Sequence, residues 1–169
     1  VEFHGMFTRL HGAEYFVEAA KRLENQKNLE FWLIGSTSNY SLPIDLYQKL
    51  KPKNMKYYPE LSVEKLAKKI AESDICIGHL GITEKAKSVI TNKMFHAINC
   101  QVAVIAGDCK ANRELFTSKT ALFTPMGDVS ALSKNILKLA HNTAQRNKLA
   151  TNGYTLSLNL TNQKLGAKL

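Results

Sequence analysis

Apolar residues fall into two rhythms along this chain. Short strand-like runs lie at residues 1–5, 29–35, 55–59, 75–80, 102–107 and 121–124, and several of them are near-continuously apolar. Such runs read as strands covered on both faces, because a strand with one wet face would alternate apolar and polar side chains. Between them the apolar positions recur three and four apart, the spacing that lays a single stripe along a helix. Phe16, Ala19, Ala20 and Leu23 form one such stripe, Val63, Leu66, Ala67 and Ile70 a second, and Val129, Leu132, Ile136 and Leu139 a third. The alternation predicts a Rossmann-like, doubly wound α/β fold: a parallel sheet of about six strands with right-handed crossovers and helices on both faces. No repeat or linker interrupts it, so residues 1–169 read as one domain. Ligands of such sheets lie at the carboxyl ends of strands where connections diverge, which directs attention to the loops after Gly5, Gly35, Pro59, Leu80 and Gly107.

Three of these loops carry candidate chemistry. The first reads Gly5-Met6-Phe7-Thr8-Arg9-Leu10-His11-Gly12 and opens a helix. Glycines at both ends permit a tight turn and close backbone approach, and free amides at the helix start favour a phosphate. Its glycine spacing is not the dinucleotide fingerprint, and a purely structural turn is the alternative. The fourth loop, 81–97, places Lys85, Lys87 and Lys93 where a diphosphate would lie, with Thr91 or Asn92 able to cap a short helix beginning near Lys93. A solvated lysine loop would share that composition. The fifth loop starts with Asp108, a candidate helix cap, and sends Arg113 or Glu114 toward the crevice.

Charge changes the picture modestly. The net charge of +9 favours an anionic partner: a nucleotide phosphate, an acidic membrane face or nucleic acid. The lysines are scattered along helical stretches with no aromatic-interleaved basic stripe, which argues against nucleic acid. Cys76, Cys100 and Cys109 lack metal-ligand spacing, and two of them sit in apolar runs, which suits buried thiols in a reducing, cytoplasmic compartment. No motif calls for a metal or a cofactor, and no serine elbow, Walker loop or His-Glu-x-x-His is present.

Several segments, taken in order, resemble one family. FHGMFTRLHGAEYFVEAAKRL resembles an opening glycine loop and first helix, and LEFWLIG a second strand. SDICIGHLGITEKAKSVITNKMFHAI resembles a segment that carries a donor-site acidic pair. VAVIAGDCKANRELF and TNGYTLSLNLTNQKLGAKL resemble the following strand with its Arg-Glu-Leu helix and the terminal helices. Together they look like the C-terminal, donor-binding domain of GT-B-fold, family-4-type retaining glycosyltransferases.

The resemblance implies a hexosyl transfer from a UDP- or GDP-sugar to a glycan or lipid-linked acceptor, without a metal. The chain opens directly at a strand, so an N-terminal acceptor domain of the same polypeptide is expected to precede it, and the isolated domain is expected to turn over little. By position, Gly5, His11, Gly12, Lys87 and Lys93 are the candidate diphosphate contacts, with no catalytic side chain of their own. Leu61 and His96 are the candidate nucleoside contacts, and Ser88 and Glu114 the candidate sugar contacts. An anionic membrane surface, at the inner face, is a further expected partner.

The departures are specific. Met6 stands where the family has arginine, Ser88 and His96 stand at its two glutamates, and Gln101-Val102-Ala103 replaces its Gly-Lys-Pro. A carboxylate accepts two ribose hydroxyls where neutral imidazole offers one acceptor. That loss weakens donor binding by roughly 1–3 kcal/mol if nothing compensates. A catalytically degenerate domain serving as a scaffold or partner subunit is therefore the alternative reading.

Overall fold

The structure is a computed structural model and describes residues 1–37 and 39–160. Its parallel sheet has the order β3-β2-β1-β4-β5-β6. The strands are β1 Glu2–His4, β2 Phe31–Ile34, β3 Met55–Tyr58, β4 Ile75–Ile77, β5 Ala103–Gly107 and β6 Leu122–Thr124. Every strand lies inside a strand-like run read from the sequence. β5 is buried at all its positions, as a strand covered on both faces must be.

The helices are α1 Ala13–Arg22, α2 Leu42–Leu50, α3 Val63–Ala71, α4 Glu84–Lys87, α5 Asn92–Asn99, α6 Lys110–Leu115, α7 Val129–His141 and α8 Thr143–Asn159. The stripe on α1 buries Phe16, Ala19, Ala20 and Leu23 against Phe3, Phe31, Leu33, Ile75 and Ile77, and α7 adds Leu132, Ile136 and Leu139 to the same core. The opposite face packs Ile70 of α3 and Met94, Ala97 and Ile98 of α5 against Cys76, Val104 and Ala106. Side chains therefore alternate between the two layers along each strand. Side-chain caps start α3, α7 and α8, where Ser62, Asp128 and Asn142 accept from Lys65, Ala131 and Gln145 amides.

Helix α2 has no counterpart in the sequence reading. Pro43 sits in its first turn, where a missing N–H is tolerated, and Ile44, Leu46, Tyr47 and Leu50 pack on the first core. The segment resembling terminal helices is resolved as α8 up to Asn159, and residues 161–169 lie outside the described residues.

The order of strands places the divergence of connections between β1 and β4. From β1 the chain winds outward through β2 to β3, then returns across to β4 on the other side. The carboxyl ends of β1 and β4 therefore frame a crevice that no crossover covers.

Candidate functional site

Two close backbone approaches shape the crevice. The loop after β1 turns on Gly12 at φ +66°, and its carbonyls at Leu10 and His11 accept from the amides of Gly81 and Leu80 at 3.2 and 2.9 Å. A methyl group at Gly12 would stand 2.6 Å from the Gly81 nitrogen, so both residues must lack a side chain for the two loops to touch. Gly5 and Gly35 meet in the same way between β1 and β2, where a Cβ on Gly35 would fall 2.0 Å from the Gly5 carbonyl oxygen.

Between these loops lies a cleft of about 370 Å³ lined by His4, Gly5, His11, Asn92, Lys93 and His96, among others. An adjoining cleft of about 320 Å³ shares Gly5 and Met6 and is bounded by Leu61, Gly35 and Val63. A third cavity, about 240 Å³, lies at the amino-terminal end of the sheet around Val1, Glu30, Trp32 and Asp74, the wrong end for a ligand of this fold.

Lys93 dominates the first cleft. It is 4% exposed, its Nζ has no hydrogen-bond partner among the described residues, and it sits 3.4 Å above the Phe3 ring centre. Burial lowers its pKa to about 7, with only partial relief from Cys76 and Glu2. Helix α5 begins beside it without a side-chain cap, because the Thr91 hydroxyl turns instead to His79 Nδ1 at 3.4 Å. The first amides of α5 thus point an uncapped positive dipole end into the cleft.

The start of α1, which the sequence reading offered as the phosphate-binding helix end, is occupied differently. Buried Glu14 stands in its first turn and accepts from the Tyr40 hydroxyl at 2.9 Å. Burial raises the Glu14 pKa. A carboxyl group already serves that dipole end.

His11 lies at the rim with its Nδ1–H donated to the Met6 carbonyl. Burial, followed by repulsion from Lys93, lowers its pKa to about 4, which leaves a neutral ring. His96 is more open. Burial, then the electrostatic influence of the adjacent His4, lowers its pKa as well.

Behind His96 is a buried polar chain that the sequence reading passed over as strand. Glu2 and His4 point from β1 into the α3/α5 layer, the face they share with Cys76. His4 Nδ1–H donates to the Glu2 carboxylate at 2.9 Å, and His4 Nε2 lies 3.2 Å from His96 Nδ1. Burial pushes the Glu2 carboxyl up, but the electrostatic pull and hydrogen bond of His4, with Cys76 and Lys93 beyond, hold it below its ordinary value. Polar residues at alternate positions of an otherwise apolar strand were the available signal. Ligand atoms of Glu2, His4 and Cys76 lie within 4.8 Å of one another. Both nitrogens of His4 are already engaged by Glu2 and His96, and burial raises the Cys76 thiol away from the thiolate a metal would bind.

Of the residues named from the sequence, the structure gathers Gly5, His11, Lys93 and His96 around one cleft and sets Leu61 in its neighbour. Gly12 lies behind them as the hinge of the loop contact. Lys87, Ser88 and Glu114 do not join them. Lys87 pairs with Glu84 at 2.7 Å, one helical turn away on α4, and Ser88 donates to the Lys85 carbonyl at 3.1 Å. Glu114 is exposed on α6. Asp108 is no cap either: it forms a two-pronged ion pair with Arg113, while Cys109 occupies the cap position.

A doubly wound α/β domain with a basic crevice at its switch point is thus defined by fold and geometry together. Residues 1–142 match the family of group 1 glycosyl transferases, and the chain belongs to that family. Among solved structures it is similar to the C-terminal domain of the group 1 glycosyl transferase LpcC from Francisella tularensis, at 20% identity and a TM-score of 0.79 over 94% of this chain and 84% of that one. It is also similar to Anabaena Alr3699/HepE, solved with UDP-glucose, at 13% identity and a TM-score of 0.82 over 99% of this chain. The catalytic domain of Helicobacter pylori cholesterol-α-glucosyltransferase aligns with 95% of this chain and 98% of its own length, at 15% identity and a TM-score of 0.77. The chain spans 47% of the Anabaena protein. No curated protein matches it. These likenesses fix the fold as that of a GT-B C-terminal domain. Among the described residues, no helix is long and apolar enough to cross a membrane.

Proposed function

We propose that this domain binds a nucleoside-diphosphate sugar across the β1/β4 crevice, as the donor half of a retaining hexosyltransferase. The observation that carries the reading is the buried ammonium of Lys93, without a hydrogen-bond partner among the described residues, beside the start of α5, which has no side-chain cap. A buried lysine without a partner is unfavourable, and a diphosphate would relieve it. On departure of the sugar, the same cation and amides stabilise the charge developing on the leaving diphosphate. Leu61 and the second cleft receive the base, and His96 meets the ribose. The Anabaena neighbour's complex with UDP-glucose supports this class of ligand.

An N-terminal domain of the same polypeptide supplies the acceptor, a glycan or lipid-linked hydroxyl, and the +9 charge suits work at an anionic membrane face. Calorimetric titration with UDP, GDP and their hexose conjugates tests the proposal, with binding to at least one expected. A folded sample that gives no heat with any of them refutes it.

A second reading, a donor-site relic that acts as a scaffold, is favoured by Ser88 and Glu114 standing outside the cleft and by the apolar Met6, 54% exposed at its rim. That reading expects nucleotide binding without sugar transfer when the full-length protein is assayed with acceptor.

A further inference from the structure

The polar chain behind the cleft has a direction. Glu2 is fully buried, and its ionised carboxylate can only accept hydrogen bonds. It therefore holds a proton of His4 on Nδ1, 2.9 Å away, and an imidazole with that single proton carries its lone pair on Nε2. That lone pair faces His96 Nδ1 at 3.2 Å. The two ring planes differ by only 17° with centroids 5.4 Å apart, so the imidazoles meet edge to edge, as an N–H···N bond requires. His96 must then carry its proton on Nδ1. Its Nε2, which has no partner among the described residues, is left as a bare acceptor on a side chain that lines the cleft.

We infer that Glu2 and His4 are positioning residues that hold His96 as a hydrogen-bond acceptor toward a ribose hydroxyl of the donor nucleotide. An imidazole lone pair then does there what a carboxylate oxygen would do. The inference rests on the donor-site reading above for the identity of the ligand, but the tautomer relay is a property of the protein alone. In the loaded site Glu2 of β1 and cationic Lys93 of α5 balance each other, while His11 from the first loop and the Cys76 thiol of β4 are uncharged.

Long-range proton–nitrogen NMR of the unliganded domain reads which nitrogen of His96 bears the proton. Nδ1–H is expected in the native protein. In the double substitution Glu2→Leu with His4→Phe, which replaces the buried pair by apolar groups, the proton should move to Nε2. A native His96 protonated on Nε2 overturns the inference, and this measurement needs no variant to fold. In parallel, UDP and GDP are titrated beside their 2′-deoxy and 3′-deoxy forms. Loss of one hydroxyl should weaken binding to the native protein roughly five- to tenfold, as expected for an uncompensated hydrogen bond. The penalty should fall below about twofold in the double variant and persist in the conservative Glu2→Gln, whose side-chain carbonyl oxygen still accepts from His4 Nδ1–H. Equal penalties in the native protein and the double variant overturn the inference. If no nucleotide binds at all while the Nδ1 tautomer is in place, the donor-site reading fails and the relay stands as a feature of the fold.

Discussion

Replacing Lys93 with methionine should make this protein more stable, and the gain should fade as pH rises. The Lys93 ammonium is fully buried, rests on the Phe3 ring and has no hydrogen-bond acceptor among the described residues. Burial lowers its pKa from 10.5 to about 7. The unfolded chain therefore keeps this proton between about pH 7 and 10.5 while the folded protein gives it up, and stability rises with pH across that window. At pH 7 the linkage corresponds to a penalty on the order of 4 kcal/mol, at pH 9 to about half of that, and above 10.5 to nothing. Methionine has a similar stem and no charge to desolvate, and Glu2 keeps its partner His4 when the lysine is gone. Urea denaturation of native protein and Lys93→Met at pH 7, 8 and 9 measures the difference directly. Titrations common to both proteins cancel in that comparison. A variant less stable than the native protein at pH 7, or a difference that stays constant from pH 7 to 9, refutes the argument. The same variant should lose nucleotide binding, because a site poised for an anion stores instability that the ligand relieves.

Nucleotide binding should also be coupled to protons. At pH 8 only about one tenth of Lys93 is charged in the free protein, so binding UDP-glucose should take up close to one proton, measured by calorimetry in buffers of different ionisation enthalpy. That uptake should vanish in Lys93→Met. His96→Glu should tighten UDP or GDP binding by roughly 1–2 kcal/mol, since a carboxylate restores the second acceptor, and titration calorimetry reads it. Lys87→Ala should leave nucleotide affinity within about twofold, because this lysine pairs with Glu84 and stands outside the cleft; a tenfold loss would show that α4 moves onto the ligand. Gly12→Ala should lower stability by about 1–3 kcal/mol, seen as a drop in Tm, because alanine at φ +66° would also drive its methyl to 2.6 Å from Gly81.

The sequence by itself determined the architecture. Runs such as 102–107 and 75–80 are too apolar to have a wet face, and stripes such as Phe16 to Leu23 cannot be buried except as helices against a sheet. It also pointed to the loops that line the crevice, because turns with glycine at both ends and strand-end lysines are local features. Whether a given polar side chain enters the crevice was settled by tertiary packing. Lys87 and Lys93 look alike as residues of one basic loop, yet one meets Glu84 at the surface while the other is carried on α5 into the gap between β1 and β4. The same packing turned Glu14 onto the α1 start and brought His4 and His96, 92 positions apart in the chain, within hydrogen-bonding distance. A strand pattern records which face a residue takes; the partner waiting on that face is set by which helix the fold lays over it.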